Sequence, residues 1–137
     1  ALLRRLSPER QAGVWAFATA PEHLDLARAG AVATVHEREG LSVVLPEAQA
    51  RALGLAVAFR CAWITLTVDS ALDAVGLTAA VAGALAADGV ACNVVAGVRH
   101  DHLFVPVDRA DDALRCLVRL QRAAAADDPP RSGTDAP

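Results

Sequence analysis

Residues Ala62–Val107, AWITLTVDSALDAVGLTAAVAGALAADGVACNVVAGVRHDHLFVPV, constrain the fold most strongly. Trp63, Thr65 and Thr67 alternate with Ile64, Leu66 and Val68, the period of a half-buried strand. Leu77, Val81, Ala84 and Leu85 then fall on one helical face, and Asp88-Gly89 ends the helix. Val90–Val98 and Leu103–Val107 read as two further strands joined by a tight turn. The stretch is therefore strand, loop, helix, strand, turn, strand. Its loop, Asp69–Thr78, is polar, punctuated by Gly76, and runs directly into the helix.

The preceding half repeats this grammar less clearly. Gly13–Thr19 is a strand candidate, and Ala20-Pro21-Glu22 opens a helix that ends before Gly30, with proline near its first position. Ala31–Glu37 and Leu41–Leu45 form a hairpin around Arg38-Glu39-Gly40. Pro46-Glu47 opens a helix that Gly54 stops. Leu55–Val68 exceeds the typical strand of about 5–6 residues. With Arg60 and Cys61 interrupting it, the run reads as two strands meeting at a domain joint. Asp108 is expected to cap the last helix, whose stripe is Ala110, Ala113, Leu114, Leu117 and Gln121. Residues 1–13 read as an amphipathic lead-in, and DDPPRSGTDAP, from Asp127, as a disordered tail.

Val14-Trp15-Ala16-Phe17 parallels Ala62-Trp63-Ile64-Thr65, so the halves look like one unit used twice. The predicted fold is α+β: two tandem ferredoxin-like βαββα units with antiparallel sheets and helices on one face. The units are placed at residues 1–61, the degenerate copy, and 62–126, followed by the tail at 127–137. A unit of about 60 residues buries little alone, so the two are expected to share a core.

Composition closes several functional classes. No apolar run in the 137 residues reaches the ~18 needed to span a bilayer. A net charge of −3 gives no electrostatic reason for nucleic acid or an anionic membrane. Arg4, Arg5, Glu9 and Arg10 interrupt any secretory apolar segment, so a cytoplasmic location is expected. Cys61, Cys92 and Cys116 are dispersed and odd in number, which suits free buried thiols rather than a metal knuckle or disulfide framework. No cofactor and no catalytic set is expected. Cys61 has no histidine nearby in sequence, and no phosphate loop or serine-nucleophile motif occurs.

Three polar clusters are candidates for binding. In Asp69–Thr78, a helix N-terminus offers unpaired N–H groups and Gly76 admits a ligand close to the backbone. Together they suit a carboxylate, with Asp69 or Asp73 receiving an ammonium group. The plainer reading, which composition alone favours, is an ordinary turn whose Ser70, Asp73 and Thr78 satisfy local backbone groups. Asn93 at the start of the next strand can reach a ligand or cap a turn. Arg99-His100-Asp101-His102 places two histidines at i, i+2, a partial metal set or an exposed hairpin tip, the tip being the plainer choice. His36-Glu37-Arg38-Glu39 can line a cleft between lobes or protect a strand edge with charge.

The words FRCAWITL, VGLTAAVA, CNVVAG and HDHLFVP, within the repeated βαββα units, resemble ACT-domain proteins, in particular small bacterial proteins made of two ACT-like units. The resemblance covers about residues 10–123. It implies a regulatory fold that binds a small molecule, an amino acid above all, and has no catalytic activity. Such units usually pair side by side, implying a homodimer, and their effectors sit against the loop between strand one and helix one. Carried onto this sequence, the ligand site is Asp69, Ser70, Asp73, Val75, Gly76, Leu77 and Thr78, with Asn93 and Val94 facing it from strand two. The truncated first-unit loop and the lack of an attached output domain depart from the family. A ligand-free interaction or dimerisation module is the alternative, with a metal protein or small enzyme after it.

Overall fold

The computed structural model describes residues 6–67 and 76–127. The elements in order are β1 (Pro8–Arg10), β2 (Trp15–Ala20), α1 (Leu26–Ala29), β3 (Ala33–Glu37), β4 (Gly40–Pro46), α2 (Glu47–Ala52), β5 (Val57–Leu66), α3 (Leu77–Ala87), β6 (Asn93–Ala96), β7 (Asp101–Pro106) and α4 (Ala110–Asp127), the last entered through a 3₁₀ turn at Val107–Arg109. The seven described strands form one antiparallel sheet in the order β3-β4-β2-β5-β7-β6, with β1 beside β5. The expected α+β architecture of two βαββα units is present, as a single continuous sheet.

β5 joins the units. The sequence suggested two strands meeting here, but Val57–Leu66 is one strand of ten residues. Its first half pairs with β2 (Trp15↔Cys61, Phe17↔Phe59), and its second half with β7 (Ile64↔Leu103, Leu66↔Asp101). Arg60 does not break it, because its guanidinium reaches the Glu47 carboxylate on α2. Each half thus serves a different unit, and the expected boundary between 61 and 62 falls inside the strand. A second difference concerns residues 1–13. Pro8–Arg10 is a strand, pairing Pro8↔Leu66, Glu9↔Thr65 and Arg10↔Ile64. The edge of β5 vacated by β2 is thereby filled from the N-terminal side.

Alternation along the strands separates two faces. Ala16, Ala18, Ala20, Leu41, Val43 and Leu45 face α1 and α2, packing with Ala29 and Ala50. Ala62, Ile64, Leu66, Leu103 and Val105 face α3 and α4, packing with Leu77, Val81, Leu85, Ala113 and Leu117. Ala16 pairs with Arg60, of the same parity as Ala62, so both cores lie on one side of the sheet. A register shift between Phe17 and Ala18 turns Val57 to that side too. The opposite side carries no described helix. Trp15, Phe17, Phe59, Trp63 and Phe104 stand there, every aromatic side chain of the protein apart from histidine.

Local signals misplaced two helix starts. The helix expected from Pro21 is a single turn opening at Asp25, whose carboxylate accepts from Arg28 N–H. Asp108 lies inside the 3₁₀ turn, which has Pro106 at its cap and no side-chain cap bond. The α4 stripe is as expected, with Cys116 added at 4 % exposure. α4 extends to Asp127, one residue into the expected tail, and residues 128–137 lie outside the described residues.

Candidate functional site

Of the predicted ligand residues, Asp69, Ser70, Asp73 and Val75 lie outside the described residues. Gly76 is the cap residue of α3 at φ 100°, ψ −23°, and as a glycine it supplies no side-chain cap bond. A Cβ at Gly76 would meet nothing within 4 Å, so glycine is required there by backbone angle and not by space. Its carbonyl accepts from Ala80 N–H at 2.9 Å, closing the first turn. Leu77 anchors that turn in the core at 6 % exposure, while Thr78 is exposed. The N–H groups of Leu77, Thr78 and Ala79 open the helix without a side-chain acceptor from its cap residue.

The first unit treats the same position differently. Its connection from β2 to α1 folds tightly, with Leu24 N–H to Pro21 C=O at 3.0 Å, and Asp25 occupies the helix start. A carboxylate is already in place where a ligand's would go, and α1 has only four residues. A groove of about 660 Å³ beside it is lined by His23, Leu24, Arg28 and Leu53 among others. The two helix starts therefore differ in their cap residue: Asp25, whose side chain caps α1, and Gly76, which has none.

Asn93 and Val94 do not converge on the α3 start as a pair. β5 leaves the sheet at Leu66, opposite Asp101 of β7, which is opposite Ala96 of β6. Asn93 pairs with Phe104, three ranks away, or about 10 Å along the sheet. Its side chain belongs to the aromatic face, whereas Val94 packs into the helical core. Strand two enters the sheet at the end remote from the loop because α3 must first run back along it, a reversal that sequence spacing does not reveal.

The histidine pair also takes a different role. His102 Nδ1 accepts from the Trp63 indole N–H at 3.0 Å. Thr65 Oγ1 lies 3.5 Å from the same nitrogen, and Gln11 Nε2 donates to Thr65 Oγ1 at 3.1 Å. His100 Nδ1 is buried without a partner among the described residues, its ring 6.4 Å from that of His102. Among the described residues, no three His, Cys, Asp or Glu side chains converge on a metal-sized space. His36 is 3.4 Å from Glu22 on β3, an outermost strand. His36–Glu39 thus lies at the sheet's edge rather than in a cleft between lobes. Cys61 is fully buried, with its thiol pushed up to about 12 by desolvation, and Cys92 is pushed to about 11. Neither is an activated nucleophile. The Gln11–Thr65–His102–Trp63 chain was missed in the sequence. Trp63 and Thr65 signal a shared face, but only strand register supplies their partners.

This chain carries a pH dependence. Burial holds the His102 pKa below its ordinary 6.5, the charge of His100 acts in the same direction, and Asp101 opposes both. Protonation would turn Nδ1 into a donor facing the indole N–H. The unfolded chain takes up this proton first, so its stabilisation is complete above pH ~6.5 and falls as pH drops toward the folded-state pKa. A lower melting temperature and altered tryptophan emission are expected at pH 5.5 relative to 7.5. His102→Gln, which retains an acceptor, should flatten this component, and an unchanged titration would remove His102 from it.

ACT-domain models match residues 1–62 and 58–119, overlapping within β5. A crystal structure of a protein of unknown function from Vibrio cholerae, described as a possible transport protein, is 43% identical. That match covers 88% of this chain and 93% of the other at TM-score 0.79. The chain belongs to the ACT-domain family. A second neighbour in fold, from Agobacterium tumefaciens, is 20% identical over 85% of this chain and 90% of its own, at TM-score 0.67. Escherichia coli aspartokinase III, in complex with aspartate and ADP, aligns over 87% of this ACT protein and 33% of its own chain, at 15% identity and TM-score 0.58. These two likenesses show the fold alone. No curated protein matches.

Proposed function

We propose that this ACT protein is a non-catalytic regulatory module, cytoplasmic and homodimeric, that binds an amino acid or similar small carboxylate at the start of α3. The observation that carries the reading is the glycine cap of α3 at Gly76, which offers no side-chain acceptor of its own, set against the Asp25-capped counterpart in the first unit. The ligand carboxylate meets the N–H groups of Leu77 and Thr78, where the helix end is partly positive. Asp69 or Asp73 takes the ammonium, Ser70 adds a hydroxyl, and Val75 lines the site.

Calorimetry against the common amino acids tests this. At least one is expected to bind below millimolar concentration, and Gly76→Val to weaken it tenfold or more. At φ 100° the valine also costs about 1–2 kcal/mol of stability, so Asp73→Asn provides a gentler second variant. No binding, or binding indifferent to both variants, would reject the site. The aromatic sheet face supports the second reading, a ligand-free interaction module. That reading expects no thermal shift from any metabolite.

A further inference from the structure

We infer that the helix-free face of the sheet is the surface through which two copies of this chain associate, aromatic layer against aromatic layer. The inference specifies the homodimer part of the proposed function and does not depend on the ligand.

The five aromatic rings form a connected pavement. Trp15 and Trp63 meet edge to face at 4.8 Å, Phe17 meets Phe104 edge to face at 5.3 Å, and Phe17 and Phe59 lie 5.7 Å apart. These rings already bury Phe104, Cys61 and Val44 with no helix above them. The apolar character extends to both outermost strands, where Val35 is 59 % and Val95 36 % exposed. By register, Val35 shares a rank with Ser42 and Thr19, and Val95 with His102 and Thr65, so both face this side.

Several polar groups on the face are paired within it. The Trp15 indole donates to Ala12 C=O at 3.2 Å, the Trp63 indole to His102, Gln11 to Thr65, and Ser42 to Glu37. Covering these four donors leaves them paired, whereas the exposed Asn93 and Thr19 on the same side are polar groups that a partner copy must meet. Charge is confined to the margins, at Glu9 and Glu37. A charged peptide or nucleic acid would find nothing to pair with in the centre.

Size and symmetry point to a second copy. Six strands at ~4.8 Å spacing and about six residues at ~3.3 Å rise give a footprint near 600 Å². Two such faces bury about 1,200 Å², the lower limit of stable specific interfaces. The tandem repeat puts equivalent strands, β3 and β6, at opposite ends of the sheet, each with an exposed valine. A two-fold contact between copies uses the same patch on both, and here it would bring the valine-bearing edge strands of the two copies into the contact together. Two twisted sheets pack in this way about 10 Å apart.

Sedimentation equilibrium of the full chain, from about 5 to 100 μM, tests the inference. The wild type is expected to be a dimer of micromolar affinity. Val35→Glu combined with Val95→Glu should weaken it tenfold or more. Leu53→Glu with Val98→Glu, at exposed positions outside the strands of this face, should leave it intact. On dilution, wild-type tryptophan emission should move to longer wavelength and become more accessible to acrylamide. This reading needs no variant to fold. A wild type that is monomeric throughout overturns both this surface and the homodimer. A dimer indifferent to the two valines, with tryptophan emission independent of concentration, overturns the surface and leaves association through sheet edges. Amino-acid calorimetry on the valine variant keeps the ligand reading separate from either result.

Discussion

Leu6→Ala is expected to lower the unfolding free energy by about 2–5 kcal/mol, the range for a buried leucine that leaves a cavity. Leu6 precedes every described helix and strand, yet it is fully buried among Ile64, Leu66, Leu77 and Leu85. Its carbonyl accepts from Thr67 N–H at 3.1 Å, immediately beyond the β1–β5 ladder. Arg10, on β1, reaches Asp111 of α4 at 3.8 Å. The N-terminal strand is thus structurally part of the second unit: β1-β5-β7-β6 surround its core, as β5-β2-β4-β3 surround the first. Deleting residues 1–10 should cost more than Leu6→Ala, because the deletion also exposes the β5 edge over Ile64–Leu66. Residues 62–127 expressed alone should fail to fold for the same reason. Urea denaturation at pH 7.5 measures the first two effects, and circular dichroism the third. A Leu6→Ala change within about 0.5 kcal/mol, as for an exposed site, would mean that the segment is an accessory lead-in.

The sequence revealed the units and concealed their exchange of strands. Periodicity is local, so Trp63-Ile64-Thr65-Leu66 and the Leu77–Val81–Leu85 face were readable as strand and helix, and both are present. β1 was not readable, because proline, glutamate and arginine are poor strand formers and only the vacant edge of β5 makes them one. The length of β5 was misread for a related reason. A strand shared by two units must run ten residues, beyond what any single sheet edge requires. At the candidate site, Gly76 was recognisable as a helix opener, and its positive φ agrees. Asn93 was placed beside the loop because it follows α3 in sequence, whereas the register sets it about 10 Å away. The aromatic face was hidden differently. Trp15, Phe17, Phe59, Trp63 and Phe104 are spread over some 90 positions and come together only through the order β2-β5-β7.

Phe104→Ala is expected to destabilise the protein by about 3–5 kcal/mol, as large as any single core truncation, although Phe104 has no helix above it. The ring is 1 % exposed, edge-on to Phe17 of the first unit at 5.3 Å and stacked on Trp63 at 6.3 Å. It therefore touches both units across β5, and each aromatic pair adds about 0.5–1.5 kcal/mol beyond buried area. The cavity cannot be refilled easily, since Trp63 is held by its bond to His102 and Trp15 by its bond to Ala12. Cys61 belongs to the same buried cluster, its thiol desolvated and pushed up to about 12. Removing the ring admits water, so Cys61 should react faster with a thiol reagent under native conditions, in step with the stability loss. Val98→Ala, at a position 78 % exposed, should change neither quantity. If Phe104→Ala cost less than ~1 kcal/mol and left Cys61 protected, the aromatic layer would be a surface coat over a sheet stabilised by its helical side. A large loss with Cys61 exposed would establish that the sheet has a second core, built chiefly from aromatic rings around Val44 and Cys61, on the face the helices leave open.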